Sequence, residues 1–335
     1  MTNLIIGVNL MPYKYLENKG IKVPKQKYKV SNWSEYNNVL RSRGSIEVWL
    51  SQEVIEQWYN QDRVYDGTGA PELYSDLAII TCHEMRKVYR LPLRQSQGFI
   101  DSLFKAQNIA INCPDYTALS KRLQKLNLTC PRYRKTDRPD DDLAAIAIDS
   151  TGLKRFGRDE WHQEKHKISG KRSWRKLHIA VDEKHYIQGA TLTDRFASDD
   201  KTIGEIVNQI DVEIGHYTAD GAYDKSPVYT ELTEHSPNAD IVIPPDKDAV
   251  YNKKSHSLRN RNVLEIECFG RTGWQKARNY GQRNYSELAI QRYKRILGNT
   301  MQSREFNRQK QEAMIGCGIL NKMTSIGMPK SYRIA

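Results

Sequence analysis

The stretch LAAIAIDSTG, residues 143–152, decides the fold class of this chain. It is an apolar run that the pattern predicts to be a buried strand ending at Asp149, followed by a glycine that allows a tight turn. Three strands in quick succession, and then strands alternating with helices, predict a mixed α/β sheet with helices packed on its faces. The further strand patterns lie at residues 174–182, 186–194, 216–224 and 239–246, and the helical patterns at residues 199–210 and 226–235.

The sequence before the predicted sheet has helical rather than strand-like spacing of its apolar residues. Residues 92–109 and 114–126 have the spacing of two amphipathic helices joined by a short turn, which is compatible with a helix-turn-helix motif or with a plain helical bundle. The proline-rich and charged stretch PRYRKTDRPDDD, residues 131–142, has no apolar periodicity and is predicted to be a linker. The predicted organisation is therefore a mainly helical region at 1–130, the linker, and an α/β domain at 143–325 with a closing helix at 303–323.

Composition limits the class of protein. The chain has 335 residues, 39% of them hydrophobic, and a formal net charge of +12, which suggests nucleic acid as a polyanionic partner or simply a basic protein of another class. There is no apolar run of membrane-spanning length and no secretory signal, so no membrane partner is expected and the cytoplasm is the expected location. The five cysteines form no CxxC pair, which argues against a disulfide framework and a zinc ribbon.

Three acids stand out against this basic background. Asp149 and Asp220 each end an apolar run beside a glycine, and Glu287 lies near the start of a basic amphipathic helix at 280–298. Each alone has an ordinary explanation, as a turn residue or as an acid near a helix start capped by Ser286. The intervals between the three acids are long enough for one supersecondary unit each, so the acids can meet at one edge of the sheet.

Three carboxylates in one place need a compensating positive charge. Ligation by oxygen alone suits Mg2+ or Mn2+, and two such ions can activate the attacking oxygen and stabilise the leaving oxygen of an in-line phosphoryl transfer. The basic residues around the acids would then hold a phosphate backbone. The sequence thus predicts a metal-dependent enzyme that acts on nucleic acid.

Beyond this reasoning, the motifs resemble a known family. Asp149 in DSTG, Asp220 in DGAYD, and the helix at 280–298 are similar to the DDE transposases of bacterial insertion sequences. Their Y-x2-R-x3-E-x6-K signature is matched at every position by Tyr280, Arg283, Glu287 and Lys294. KHKISGKRSWRKLHIAVD and KMTSIGMP resemble the insertion sequence 5 family in particular. The resemblance extends from about residue 30 to the C-terminus.

The resemblance implies an RNase H-like catalytic fold, preceded by a helical region that binds DNA ends. It also implies an enzyme that binds the terminal inverted repeats of its element, assembles as a homo-oligomer on two ends, cleaves them with divalent metal and joins the 3′ ends to target DNA. Among the residues of this chain, Asp149, Asp220 and Glu287 would bind the metal ions. Tyr280, Arg283 and Lys294 would position the DNA strands.

Other residues are weaker candidates. Lys171 and Arg172 belong to a basic run between the first two predicted strands, which is either a phosphate-contacting loop or a solvated one. In the helical region, Lys121 and Arg122 are candidates for contacting the element's ends. Trp174 and Trp274 could stack on an unpaired base, although core packing is favoured for Trp174 because it starts a strand. His166 and His178 lack metal-ligand spacing with cysteine and are not expected to be catalytic.

Two other functions fit the same pattern. One is an RNase H-like nuclease that hydrolyses DNA without joining ends. The other is a DNA-binding derivative without catalysis, which the three acids disfavour because a pure binder has no physical need to gather acids against phosphate.

Overall fold

The computed structural model describes residues 27–61, 72–130, 144–155, 174–246, 248–252 and 257–334. The predicted linker at 131–142 and most of the basic run, including Lys171, Arg172 and His166, lie outside the described residues. So does the segment before Lys27.

The first part of the described chain is mainly helical, as predicted. Helices α5 and α6 confirm the two amphipathic patterns, and α6 begins where the side chain of Asp115 accepts hydrogen bonds from the backbone N–H groups of Thr117 and Ala118. The elements of this region are β1 (Lys27–Val30), α1 (Trp33–Ser42), α2 (Ile46–Trp49), α3 (Gln52–Glu56), α4 (Asp76–Val88), α5 (Leu93–Ala106) and α6 (Tyr116–Lys125).

A five-stranded sheet of mixed direction follows, which confirms the predicted α/β class. Its strands are β2 (Ala144–Lys154), β3 (Trp174–Asp182), β4 (Ile187–Asp194), β5 (Ile214–Thr218) and β6 (Asp240–Val242). The order is β4-β3-β2-β5-β6, in which β3 is antiparallel to both its neighbours and β5 is parallel to β2 and β6. Helices α7 (Ile203–Val207) and α8 (Ser226–His235) connect the later strands. They confirm the helical patterns at 199–210 and 226–235.

The end of β2 differs from its prediction. Strand β2 does not end at Asp149 but continues to Lys154, because β3 pairs with it over the whole length, from Ile146 opposite Asp182 to Lys154 opposite Trp174. Gly152 therefore lies inside the ladder rather than in a tight turn. A polar residue in the middle of a run was mistaken for its end, although the backbone beyond it still has hydrogen-bonding partners.

The C-terminal part returns to helix. It contains α9 (Leu258–Ala277), a 3-10 turn (Tyr280–Arg283), α10 (Asn284–Leu297), α11 (Phe306–Ile326) and β7 (Ser331–Ile334), which pairs antiparallel with β1. The closing helix begins three residues later than predicted, since Glu305 caps it by accepting hydrogen bonds from the N–H groups of Asn307 and Arg308 at 2.9 and 3.0 Å. Helix α9 is kinked at Gly270, whose φ of 70° favours glycine.

The two faces of the sheet support two hydrophobic clusters. Alternate residues of the central strands, such as Ile146 and Ile148 in β2, pack with α7 and α8 on one face. On the other face, Leu177 and Ile179 of β3 share one cluster with α10, α11 and the early helices. Segments on both sides of the predicted linker thus contribute to a single core. No helix in the described ranges has both the length and the apolar character of a membrane span.

A buried ion pair joins the helical region to α11. The Nζ atom of Lys87, on α4, lies 2.8 Å from a carboxylate oxygen of Glu312, and the two side chains are only 7% and 3% exposed. The backbone N–H groups of Gln302 and Ser303 donate to the same carboxylate at 2.9 and 2.8 Å. Burial alone would raise the pKa of Glu312, but Lys87 and these N–H groups hold it below its ordinary value.

We expect Lys87→Met to lower the free energy of unfolding by about 3 to 5 kcal/mol, because it leaves the Glu312 carboxylate buried without its cation. Urea unfolding measures the loss. The matched control is Lys125→Met, whose ion pair with Glu72 is exposed and should contribute less than about 1 kcal/mol. Equal effects of the two substitutions would show that the buried pair does not hold the helical region against α11.

Candidate active site

Asp149 lies at the middle of the central strand. Its Oδ1 accepts a hydrogen bond of 2.7 Å from the N–H of Ser150, and its side chain is largely buried. Strand β2 places it beside β5, whose pairing with β2 ends with Ala147 opposite Thr218. The carboxyl end of β5 therefore lies at the level of Asp149.

Asp220 follows β5 at that level. It caps the 3-10 turn Gly221–Tyr223, and its Oδ1 accepts a hydrogen bond of 2.9 Å from the N–H of Ala222. A Cβ atom at position 221 would lie 3.2 Å from the backbone oxygen of Pro244, so glycine lets the segments after β5 and β6 approach closely. Asp220 thus caps a turn, as its sequence context predicts, and also lies at the level of Asp149.

Glu287 reaches the same region from α10, in the first turn of that helix. The helix begins at Asn284 with Arg283 as its N-cap, so the interpretation of Ser286 as the cap is wrong. Ser286 lies inside the helix, where its hydroxyl donates to the carbonyl of Arg283 at 2.8 Å. The preceding 3-10 turn is entered through Asn279, which has a positive φ of 50°.

The guanidinium of Arg283 connects two of the acids. Its Nη1 lies 3.7 Å from Oδ2 of Asp149, and its Nη2 donates to Oε1 of Glu287 one helical turn away. Burial opposes the charge of Arg283, but Tyr280 and the carboxylates of Glu287, Asp149 and Asp220 raise its pKa above the ordinary value. The cation is therefore held among the acids.

The three acids affect one another electrostatically. Burial, followed by repulsion from Asp220 and Glu287, raises the pKa of Asp149 to about 6, although the N–H of Ser150 and the guanidinium of Arg283 act in the opposite direction. The acids predicted from sequence thus lie within electrostatic reach of one another. Within the described ranges, however, no three His, Cys, Asp or Glu side chains are grouped tightly enough to hold a metal ion in this arrangement.

Tyr280 supports the site from beside Arg283. The guanidinium carbon lies 5.8 Å from the centre of the Tyr280 ring, and burial raises the pKa of Tyr280 to about 12, so its hydroxyl stays protonated. The ring of Trp274 packs against Tyr280 with centroids 5.4 Å apart. Trp274 itself is fully buried and donates to Asn262 at 3.3 Å, so it packs in the core and has no face open to a base. Trp174, for which core packing is favoured by sequence, is instead 37% exposed.

Tyr223 is a neighbour that the sequence pattern did not identify. It is fully buried, and burial together with the charges of Asp199, Asp149 and Asp220 raises its pKa. Only the parallel pairing of β2 and β5 brings it near Asp149, and no local motif signals this.

His178 is also buried, its pKa is lowered to about 4 by burial, and its Nε2 is 2.8 Å from the hydroxyl of Thr193. His178 is therefore a neutral residue with a structural role, which agrees with its lack of metal-ligand spacing in the sequence.

The remaining predicted DNA contacts lie elsewhere. Lys294 is half-exposed, two turns beyond Glu287 on the same helix. Lys121 is exposed on α6 and lines an open groove of about 610 Å3 together with Arg94 and Arg308. The structure does not bring these lysines to the acids.

Arg122 contacts protein rather than solvent. Its Nη1 donates to the carbonyl of Tyr74 at 2.8 Å and lies 3.1 Å from Glu72, and its Nη2 pairs with Asp76. The side chain is 11% exposed. These bonds join α6 to the start of α4, and a contact of Arg122 with DNA bases would have to break them.

Comparison with known proteins gives two family matches, both to models described as the transposase DDE domain. One covers residues 41–158 and the other residues 141–322, which is more than half of the chain. Among solved structures, the chain is similar to a piggyBac transposase in a synaptic complex with hairpin DNA, studied by cryo-electron microscopy. The identity is 11%, the TM-score is 0.37, and the match covers 88% of this chain and 76% of that one.

The raised pKa of Asp149 predicts a pH-dependent effect on stability. An acid whose pKa is higher in the folded state than in the unfolded state destabilises the fold progressively as pH rises through its folded value, here about 6. Asp149→Asn should therefore raise the melting temperature at pH 7.5 in chelator, on the order of a few degrees, and leave it unchanged at a pH below the unfolded value of about 4. Melting temperatures of both proteins at the two pH values measure this. A loss of stability at pH 7.5 would contradict the repulsion.

Proposed function

Because the chain belongs to the family of transposase DDE domains, we propose that it is the transposase of a bacterial insertion sequence of the insertion sequence 5 type. It would bind the terminal inverted repeats of its element, cleave the DNA strands and join the 3′ ends to target DNA. One observation carries this proposal most directly. Asp149 and Glu287 pair with the guanidinium of Arg283, and Asp220 acts on the same guanidinium electrostatically, at the middle of β2 and the carboxyl end of its parallel neighbour β5.

The proposed fold of the catalytic part is RNase H-like. Three antiparallel strands lead into two that run parallel to the first, and helices cover both faces of the sheet. The carboxylates lie at the central strand and at the end of its parallel neighbour, where α10 adds a third. This placement of acids supports the assignment.

The donor chemistry of the acids suits a divalent metal, although the acids would have to move closer together to share one ion. Their donor atoms are carboxylate oxygens, which suit Mg2+ or Mn2+, and burial together with repulsion from Asp220 and Glu287 raises the pKa of Asp149. Two bound ions would stabilise the attacking and leaving oxygens of phosphoryl transfer. Asp149, Asp220 and Glu287 are the residues that would hold them.

Arg283 has two roles in this proposal. In the protein alone its guanidinium compensates the charges of Asp149 and Glu287. Once those carboxylates ligate metal, the same guanidinium is free to bind a phosphate of the DNA strand, for which its planar donors are well suited. Tyr280, a protonated hydroxyl beside it, and Lys294, further along α10, would hold the strand on either side.

The helical region supplies the second DNA contact of the proposal. The groove between the starts of α5, α6 and α11 is lined by Arg94, Lys121 and Arg308, and the guanidinium of Arg94 lies 4.5 Å from the ring centre of Tyr116. Three cations along one groove suit a phosphate backbone. The helical region shares its core with the sheet, so DNA bound in this groove would be held in fixed relation to the acids. A homo-oligomer on two DNA ends completes the proposal.

Glu287→Gln tests the chemistry, since it keeps the size of the side chain and removes its charge. With a DNA segment containing the borders of the element, the variant should bind as the original protein does and lose cleavage and joining by at least about 100-fold. Glu234→Gln, an exposed acid on α8, is the control and should change neither. Gel shift, strand cleavage and strand transfer on precleaved ends measure the three steps.

Two outcomes would contradict the proposal in different ways. Cleavage that survives Glu287→Gln would remove this acid from the catalytic centre. Cleavage by the original protein without any joining of precleaved ends would favour an RNase H-like nuclease.

Lys121→Ala and Arg122→Ala should separate DNA contact from structure. Lys121→Ala should weaken binding of border DNA and reduce the slope of log affinity against log salt by about 1, while leaving the melting temperature unchanged. Arg122→Ala should lower the melting temperature, because it removes the hydrogen bond to the carbonyl of Tyr74 and the ion pair with Asp76. If Arg122→Ala keeps the melting temperature and loses binding more than Lys121→Ala, the assignment of the two residues is reversed.

A further inference from the structure

A stack of two aromatic rings and one guanidinium stands at the rim of the sheet, away from the acids. We call Trp174, Arg195 and Phe196 the rim stack. The guanidinium carbon of Arg195 lies 4.3 Å from the ring centre of Phe196 and 5.8 Å from that of Trp174, so both rings contact one cation. Phe196 is 78% exposed and Trp174 is 37% exposed. The stack therefore presents flat apolar surface to solvent, with a cation beside the two rings.

The backbone holds the rim stack in place. Trp174 begins β3 and Asp194 ends β4, and the pairing of Arg175 with Asp194 brings these ends together. The carboxylate of Asp194 pairs with the side chain of Arg175 and accepts from the N–H of Phe196 at 3.3 Å, and its carbonyl accepts from the N–H of Ala197 at 3.1 Å. The exposed Phe196 thus lies in a turn whose backbone is held by hydrogen bonds to Asp194.

The indole of Trp174 packs over Gly152 of β2. A Cβ atom at position 152 would lie 3.6 Å from Cδ1 of Trp174, which is an ordinary van der Waals distance. Strand β2 therefore supports one side of the indole. The indole is held by the sheet on one side and faces Arg195 on the other.

The position of the rim stack relates it to the acids. Asp149 is opposite Ile179, and Trp174 lies five residues further along the same hairpin, about 16 Å away at the usual rise of a strand. The odd number of residues puts the side chains of Trp174 and Asp149 on opposite faces of the sheet. A strand at the acids and a strand at the rim stack would thus pass on the two sides of one hairpin, which suits two strands that have separated.

We propose that the rim stack is a binding site for an unpaired nucleobase of the DNA strand that separates from the strand held at the acids. An aromatic face binds any base by stacking, and the guanidinium adds attraction to its phosphate. This inference rests on the proposed function, since it requires DNA at the acids. Phe196 is the outermost member and supplies most of the stacking surface.

The test uses the full chain and two fluorescent probes, a blunt duplex and the same duplex with a short unpaired thymidine tail that contains 2-aminopurine. The original protein should bind the tailed probe more tightly and quench 2-aminopurine. Phe196→Ala should weaken binding of the tailed probe by roughly 5- to 100-fold, leave binding of the blunt probe unchanged, and remove the quenching. Phe196→Trp should restore both.

The matched control is Phe269→Ala, which removes another strongly exposed phenylalanine, on α9, and should alter neither probe. Equal affinity of the original protein for both probes, together with cleavage that depends on Glu287, would overturn the rim stack and leave the proposed function intact. Absence of binding to either probe would overturn both. If Phe196→Ala instead dissociates an oligomer in sedimentation and affects both probes alike, the rim stack contacts a second copy of the chain, and the inference is wrong.

Discussion

The hydrogen bonding of β2 to antiparallel β3 on one side and to parallel β5 on the other determines where the functional groups lie. Because β2 and β5 run in the same direction, the middle of β2 and the turn after β5 are at one level, and Asp149 meets Asp220 there. The helix that carries Glu287 packs against the same strands and completes the group. The rim stack depends on the same pairing, since it exists only because β2 and β3 continue past Asp149. Two sites of different chemistry are therefore set by one backbone register.

Charge is the second constraint on this region. Three carboxylates in a half-buried space repel one another, and Arg283 is the residue that relieves the repulsion of Asp149 and Glu287. The lone acid of a basic helix is thus explained by its surroundings, because Glu287 lies beside a guanidinium of its own helix and faces acids from the sheet. The segment from Tyr280 to Lys294 thus contains both the acid and, four residues before it, the cation that compensates its charge in the unliganded protein.

Much of the fold could be predicted from local patterns, and the failures share a cause. Apolar runs identified the strands of the five-stranded sheet, and helical spacing identified α5, α6, α7, α8, α10 and α11, whereas α9 was not predicted. The end of β2 was misplaced because Asp149 is polar, whereas pairing with β3 is decided by the partner strand. The partners of Arg122, at Tyr74 and Asp76, are distant in sequence, so no spacing announces them. The roles of Trp274 and Tyr223 likewise follow from their burial, which cannot be read from the local sequence. Local sequence predicts elements well, and the contacts between elements decide which side chains are available.

Helix α11 has a kinetic consequence, because the core that joins the helical region to the sheet contains residues from both ends of the described chain. Such a core has high contact order, and its closure requires long segments to meet. During translation, α4, α5 and α6 leave the ribosome long before residues 306–326 are made. Their apolar faces therefore remain exposed until α11 covers them. A nascent chain in that interval is a substrate for chaperones and prone to aggregate. The yield of folded protein would then depend on how quickly synthesis reaches α11, and products that stop short of it would lack the helix that completes this core.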